Sequence, residues 1–147
     1  MTLYGEPIET FSGEYRFLSN FSPSYVCYLG VMYYTVENAY QAAKSDDPEI
    51  RLEMVKYPPA IAKSKGRKIQ IRSDWEHSKL NVMWMLIDQK FDDPKLRQKL
   101  IDTGERPLIE GNHWGDTYWG QCPVGHGCNN LGKLLMKKRA QLQNDLT

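Results

Sequence analysis

The sequence predicts an α+β fold, and three observations carry that expectation. Aromatic and β-branched residues crowd two short segments near the start, Tyr15 to Phe21 and Tyr25 to Tyr34, which is the composition of strands. From Thr35 onward apolar residues recur mainly at helical spacing, and strands followed by a run of helices belong to the α+β class. The chain has 147 residues, enough to bury one sizeable core and too few for two ordinary domains, so residues 1–147 read as a single domain.

The two strand-like segments, with turn signals at Ser22-Pro23-Ser24 and Leu29-Gly30, form a small antiparallel sheet. Thr35 is suited to cap a helix from Val36 to Lys44, in which Val36, Ala39, Tyr40 and Ala43 face the core. Glu37, Gln41 and Lys44 fall at i, i+4 and i+7 and make a second stripe on the same helix. Pro48 opens a helix from Glu49 to Lys56, Tyr57-Pro58-Pro59 breaks the chain, and a short helix from Ala60 to Lys65 precedes a turn at Gly66-Arg67. After Ile69 to Arg72, Asp74 caps the longest helix, Trp75 to Phe91, with Leu80, Met83, Trp84, Ile87 and Phe91 in one stripe, expected to be the central core helix. Trp75 lies off that stripe, at the helix entrance or facing a cleft, while Lys79, Leu86 and Lys90 share another side. Pro94 to Ile101 is helical and stops near Thr103-Gly104. Pro107 to Glu110 reads as a short strand, and Asn129 or Asn130 caps a last helix with Leu131, Leu134, Leu135 and Leu142 inward and Lys133, Lys137, Lys138 and Arg139 outward.

A formal charge of +1 argues against a strongly basic nucleic-acid wrapper, although Lys63 to Lys68 form a local basic patch. The start, Met1 to Pro7, lacks the basic and apolar regions of a leader peptide, and the longest apolar run, Val82 to Ile87, is too short to span a bilayer. No membrane partner is expected. Three cysteines, Cys27, Cys122 and Cys128, make an odd set that fits a reducing cytoplasm better than secretion. His113, Cys122, His126 and Cys128 lack the paired spacing of a structural zinc site, so no metal is expected.

Between Glu110 and Gly132 the chain gathers Trp114, Trp119, Asp116 and six glycines just before a helix start. Glycines permit close backbone approach and indoles offer stacking faces.

The ordered set Phe11, Leu18-Ser19-Asn20-Phe21, Thr35 with Glu37, Gln41 and Lys44, Arg72 with Asp74-Trp75, Val82-Met83 with Lys90-Phe91, Thr103-Gly104, Glu110, Asp116 with Trp119-Gly120, and Asn129 with Leu131-Gly132, Leu135-Met136 and Arg139 resembles the NADAR, or YbiA-like, family. The match runs from about Phe11 to Arg139. The resemblance implies a compact, mainly helical α+β domain that binds ADP-ribose or ribosylated bases and cleaves N-glycosidic bonds, of riboflavin-pathway phosphoribosylamino-pyrimidines in some members and of ADP-ribosylated guanine in nucleic acid in others. It implies Glu37, Asp116 and Lys44 as catalytic residues, Trp75 as the base-stacking residue, and Asn20, Gln41, Arg72, Trp119, Gly120, Asn129 and Gly132 as substrate contacts. No cofactor is implied. Asn38, where the family often has His, and His126, where it has a basic residue, are expected to border the pocket.

The chemistry supports these assignments independently. Breaking an N-glycosidic bond builds positive charge on the sugar C1 and negative charge on the base, so the site needs an anion near the ring and an acid near the base. Glu37 and Asp116 are the candidates, with Trp75 holding the base by stacking. Lys44 offers a second route in which its amine captures the ring-opened C1 as a Schiff base. The N-terminus of the last helix, Asn129 to Gly132, and Arg16, Arg72 and Arg139 are suited to phosphates. A non-catalytic ADP-ribose reader and a nucleic-acid-associated structural protein are the competing expectations.

Overall fold

Leu29 and Gly30 take left-handed backbone, with φ of 48° and 82°. Successive residues of that kind make the two-residue turn whose twist matches a tight hairpin. The turn joins β1 (Val26–Tyr28) to β2 (Val31–Tyr33), antiparallel with Val26 opposite Tyr33 and Tyr28 opposite Val31. The computed structural model describes residues 5–146, so Met1 to Tyr4, part of the segment read as lacking a leader, lie outside the described residues. The fold is mainly helical with this one small antiparallel sheet, as the sequence predicts. The chain clusters into two compact units, residues 20–90 and a second built from the segments on either side.

In the 20–90 unit, α1 (Val36–Ala43) is enclosed on every side: all of its residues are buried. It packs on both strands, on α2 (Pro48–Glu53), on α3 (Pro59–Gly66) and on α4 (Trp75–Lys90). Its start is set by Thr35, whose hydroxyl accepts from Asn38 N at 3.0 Å, and that of α2 by Asp47, which accepts from Glu49 N, with Pro48 in the first turn. The backbone of β1 is completed by the Gln89 amide, which accepts from Cys27 N and donates to Cys27 O, both at 2.8 Å.

Three expectations need correction here. The central helix of this unit is α1, not α4. On α4 the buried side carries Trp75, Val82, Met83, Leu86, Ile87 and Lys90, whereas Leu80 is 42% exposed. Lys90, grouped by spacing with Lys79 and Leu86 on another side of the helix, is enclosed, and its Nζ donates to Ser22 Oγ at 3.1 Å. Gly66 is the last helical residue of α3 instead of a turn.

Burial alone lowers Lys90 from 10.5 to about 7. Between those values the unfolded chain holds the proton and the folded chain has released it, so stability rises with pH, by up to about 1.4 kcal/mol per unit. Lys90→Met is expected to abolish this rise, and urea unfolding at neutral and alkaline pH measures it.

The second unit holds α5 (Pro94–Asp102) packed on α6 (Asn130–Asn144). Tyr15 to Phe21, expected as a strand, begins instead within a 3-10 helix, Gly13–Leu18. Tyr15 N donates to Ser12 O and Ser19 N to Arg16 O, closing tight turns. Short-range pairing of the backbone overrides the strand preference of its aromatics. Leu108 makes a single parallel bridge with Ile8, which replaces the expected strand at Pro107 to Glu110.

Lys138 and Arg139 are buried on α6, against expectation. Lys138 pairs with Asp92 Oδ1 at 3.1 Å, while Arg139 donates from Nη1 to Thr103 Oγ1 at 2.9 Å and Arg106 O at 2.8 Å. Their long apolar stems make burial acceptable once the cationic ends find such acceptors. Arg139 is thereby held within the fold instead of serving as a phosphate fork.

Candidate functional site

The polar stripe of α1 is the densest gathering of expected site residues. The i, i+4 spacing places Gln41 Nε2 2.9 Å from Glu37 Oε1, to which it donates. Both side chains are buried, at 3% and 7% exposure. Glu37 N donates to the backbone oxygen of Asn20 at 3.0 Å, which brings Asn20 to the same turn. The Asn20 amide donates to Met83 Sδ at 3.6 Å, a weak partner, and Asn20 Oδ1 and Gln41 Oε1 are buried acceptors without a hydrogen bond.

One turn beyond Gln41, Lys44 closes α1, its Nζ 5.5 Å from the centroid of the Tyr40 ring. Its pKa lies below the ordinary lysine value. Burial is the largest cause, the Glu37 carboxylate opposes it, and the cations of Arg67, Lys63 and Lys79 add to it. A lysine so placed releases its proton more readily than one in water.

Trp75 packs at the entrance of α4, 5% exposed, with its ring 5.2 Å from that of Tyr40 at 57°. That packing makes it a wall of the unit and limits the face it can offer a base. Arg72 grips Asp74 bidentately at 2.6 and 2.8 Å and reaches the Tyr28 hydroxyl and Ala43 O. Its backbone N–H donates to Lys44 O at 2.8 Å, tying the approach to α4 onto the end of α1. Asn38 is buried, and its amide donates to Met54 O and Tyr57 O, a tie between α1 and the segment after α2.

In the second unit, Asp116 shapes the glycine-rich loop. Its Oδ1 accepts from Tyr118 N at 3.1 Å and Trp119 N at 2.9 Å, an Asx-type turn. The Trp119 ring meets Tyr118 edge-on at 4.7 Å, and Trp114 is 56% exposed. Sequence reasoning gave no role to Asn112, which is buried and bonds Glu110 Oε2, Asp116 O and Asp116 N. The polar residues Glu110, Asn112 and Asp116, two and then four positions apart, were its signal. A cavity of about 240 Å³ beside the loop is lined by Glu9, Thr10, Ile109, Asn112, His113 and Cys122 among others, and by none of the expected site residues. Among the described residues no three His, Cys, Asp or Glu side chains gather as metal ligands.

The start of α6 departs from the expected phosphate site. Asn129 sits at φ 52° and its side chain does not cap the helix; Oδ1 accepts from Glu110 N and Nδ2 donates to Leu108 O, both at 2.9 Å. The N–H groups of Asn129, Asn130 and Leu131 donate to Gly120 O, Tyr118 O and Trp119 O, so these three donors of the expected phosphate site are already engaged. Gly120 and Gly132 serve close approach of the chain to itself. A Cβ at Gly120 would meet Glu110 O at 2.0 Å, and one at Gly132 would meet Leu108 O at 2.1 Å. Arg16 is exposed on the 3-10 helix.

Comparison with known proteins places this geometry. The NADAR domain model matches residues 6–143. The chain is 34% identical over 134 residues to a riboflavin biosynthesis protein of Vibrio vulnificus, covering 88% of this chain and 36% of that protein. It is 35% identical to the chloroplastic riboflavin biosynthesis protein PYRR of Zea mays, covering 74% of this chain and 19% of that one. The chain thus spans about a third and a fifth of the length of these two relatives. The N-glycosidase YbiA of Escherichia coli is 35% identical over 135 residues, with 89% of this chain and 84% of that one covered. The NMR structure of E. coli YbiA superposes with a TM-score of 0.85 at 32% identity, covering 99% of this chain and 89% of that chain.

Proposed function

The chain belongs to the NADAR family, and on that premise we propose that it is a hydrolase of N-glycosidic bonds whose substrate joins a phosphoribosyl or ADP-ribosyl group to an aminated heterocycle. The observation that carries this reading is the α1 stripe: a buried carboxylate, Glu37, fixed by Gln41 at 2.9 Å, and Lys44 one turn on with a lowered pKa. Hydrolysis adds the hydroxyl of water to C1 as the C1–N bond breaks, and the water's other proton, taken up first by Glu37, ends on the departing base nitrogen. Glu37 supplies the negative charge that C1 attracts as it becomes cationic, and it takes the proton from the attacking water. The buried acceptor oxygen of Asn20, adjacent in the chain fold to Glu37, is suited to a hydroxyl or amine donor of the substrate. Arg72 supports the end of α1 through its backbone bond to Lys44 O.

The relatives named for riboflavin biosynthesis favour a phosphoribosylamino-pyrimidine, and the family resemblance keeps ADP-ribosylated guanine, as nucleotide or in nucleic acid, as the alternative leaving base. Three substrates incubated side by side, a phosphoribosylamino-pyrimidine, ADP-ribosylated guanosine DNA and NAD, with free base followed by mass spectrometry, decide between them. Release of base from the first is the expected result. Binding of ADP-ribose by calorimetry with no base released from any of the three would make the protein a reader instead. Among the described residues no helix is long and apolar enough to cross a membrane.

A further inference from the structure

Gly66 ends α3 in helical backbone, and it is absent from the glycines of positive φ. Its lack of a side chain therefore answers to space. A Cβ at this position would lie 1.8 Å from Gln41 Oε1 and 2.7 Å from Gln41 Cδ, well inside any non-bonded contact, so either the amide or the helix would have to move. Gln41 is 3% exposed, and turning its amide away would break the 2.9 Å bond from Nε2 to Glu37 Oε1. Exchanging the two ends of the amide would set an oxygen against the carboxylate, which is repulsive. The Gln41 amide thus sits with its donor on Glu37 and its undonated oxygen, Oε1, against the bare Cα of Gly66.

We propose that Gly66 is a positioning residue for the Glu37 carboxylate: the absent side chain leaves the seat from which Gln41 presents its N–H to Glu37. This rests on the reading of Glu37 as the catalytic carboxylate. A donor to an ionised carboxylate favours its charged form and fixes its direction, so a methyl group on α3 acts on Glu37 through Gln41.

The test uses Gly66→Ala, Gln41→Ala and the double variant, with kcat and KM measured separately and the Glu37 carboxyl titrated by carbon-13 NMR. Gly66→Ala is expected to lower kcat about tenfold, to change KM by less than about twofold, and to raise the Glu37 midpoint by about one pH unit. Alanine is the better helix former, so helix propensity does not account for such a loss. Gln41→Ala is expected to do the same, and in that background Gly66→Ala adds nothing further. A Glu37 titration unmoved by Gly66→Ala, or moved equally with and without Gln41, overturns the inference. Should Gly66→Ala alone fail to fold, Gln41→Ala opens the space and restores it; failure of that rescue overturns the inference too. If Glu37→Gln keeps wild-type turnover while the titration shift is present, the positioning stands and the catalytic reading falls. An inactive Glu37→Gln with no titration shift gives the reverse.

Discussion

Glu37→Gln is expected to lower turnover by about 10²- to 10⁴-fold while the protein stays folded. The substitution keeps the shape of the side chain, and an amide oxygen in the place of Oε1 still accepts from Gln41 Nε2, so packing around α1 changes little. What is lost is the charge. A neutral amide neither draws positive charge toward C1 nor takes a proton from water, and both effects are largest in a buried position where solvent screens least. Thermal unfolding by circular dichroism checks the fold, and base release by mass spectrometry checks the rate. Asp116→Asn is the companion variant. Its amide oxygen retains an acceptor for Tyr118 N and Trp119 N, so the loop turn survives and only a catalytic role for the carboxylate is removed. Wild-type release by both variants would show that neither carboxylate has the role assigned to it.

Much of the α1 stripe was legible in the sequence because helix geometry leaves no choice once Thr35 caps the start. Glu37, Gln41 and Lys44 then share a side whatever the rest of the chain does, and the structure adds the bond between the first two. The Leu29-Gly30 turn was legible for a similar reason, since a two-residue connection between β-rich segments has few conformations. Long-range packing decided what was missed. Lys138 and Arg139 are charged residues with apolar stems, and periodicity alone placed them outside; only the acceptors offered by Asp92, Thr103 and Arg106 O make their burial possible.

The same holds for the loop before α6. Asn129 has the residue type of a helix cap, but its amide finds Glu110 N and Leu108 O, partners about twenty residues earlier that no local rule anticipates. The glycines at 66, 120 and 132 read as turns or ligand contacts from sequence. In the structure each is a place where another part of the same unit comes too close for a side chain. Composition cannot separate these uses of glycine, because both need a missing Cβ and differ only in what occupies the space.

Lys44→Arg is expected to abolish turnover to the same extent as loss of the nucleophile, about 10³-fold or more, if the reaction passes through a Schiff base. In that route the neutral amine adds to C1 of the ring-opened glycosylamine and the bond from C1 to the base nitrogen breaks, leaving an iminium on Nζ. Water then adds to C1 and the lysine is released, so one water is consumed and the base and sugar are freed. Arginine keeps the charge but lacks an amine able to do this. Borohydride should reduce the iminium and leave a sugar mass on Lys44 in the wild type and none in Lys44→Arg; no adduct with any substrate discards the route. The pH dependence carries a sign. Because burial and the nearby cations hold Lys44 below the usual lysine value, the reactive neutral form gains population as pH rises, and the rate climbs until the lowered pKa is passed. Removing a cation that lowers it, by Arg67→Gln or Lys63→Gln, moves this limb to higher pH. Removing the opposing Glu37 charge moves it to lower pH, which can be followed by NMR titration of the Lys44 amine even where Glu37→Gln has no turnover to measure.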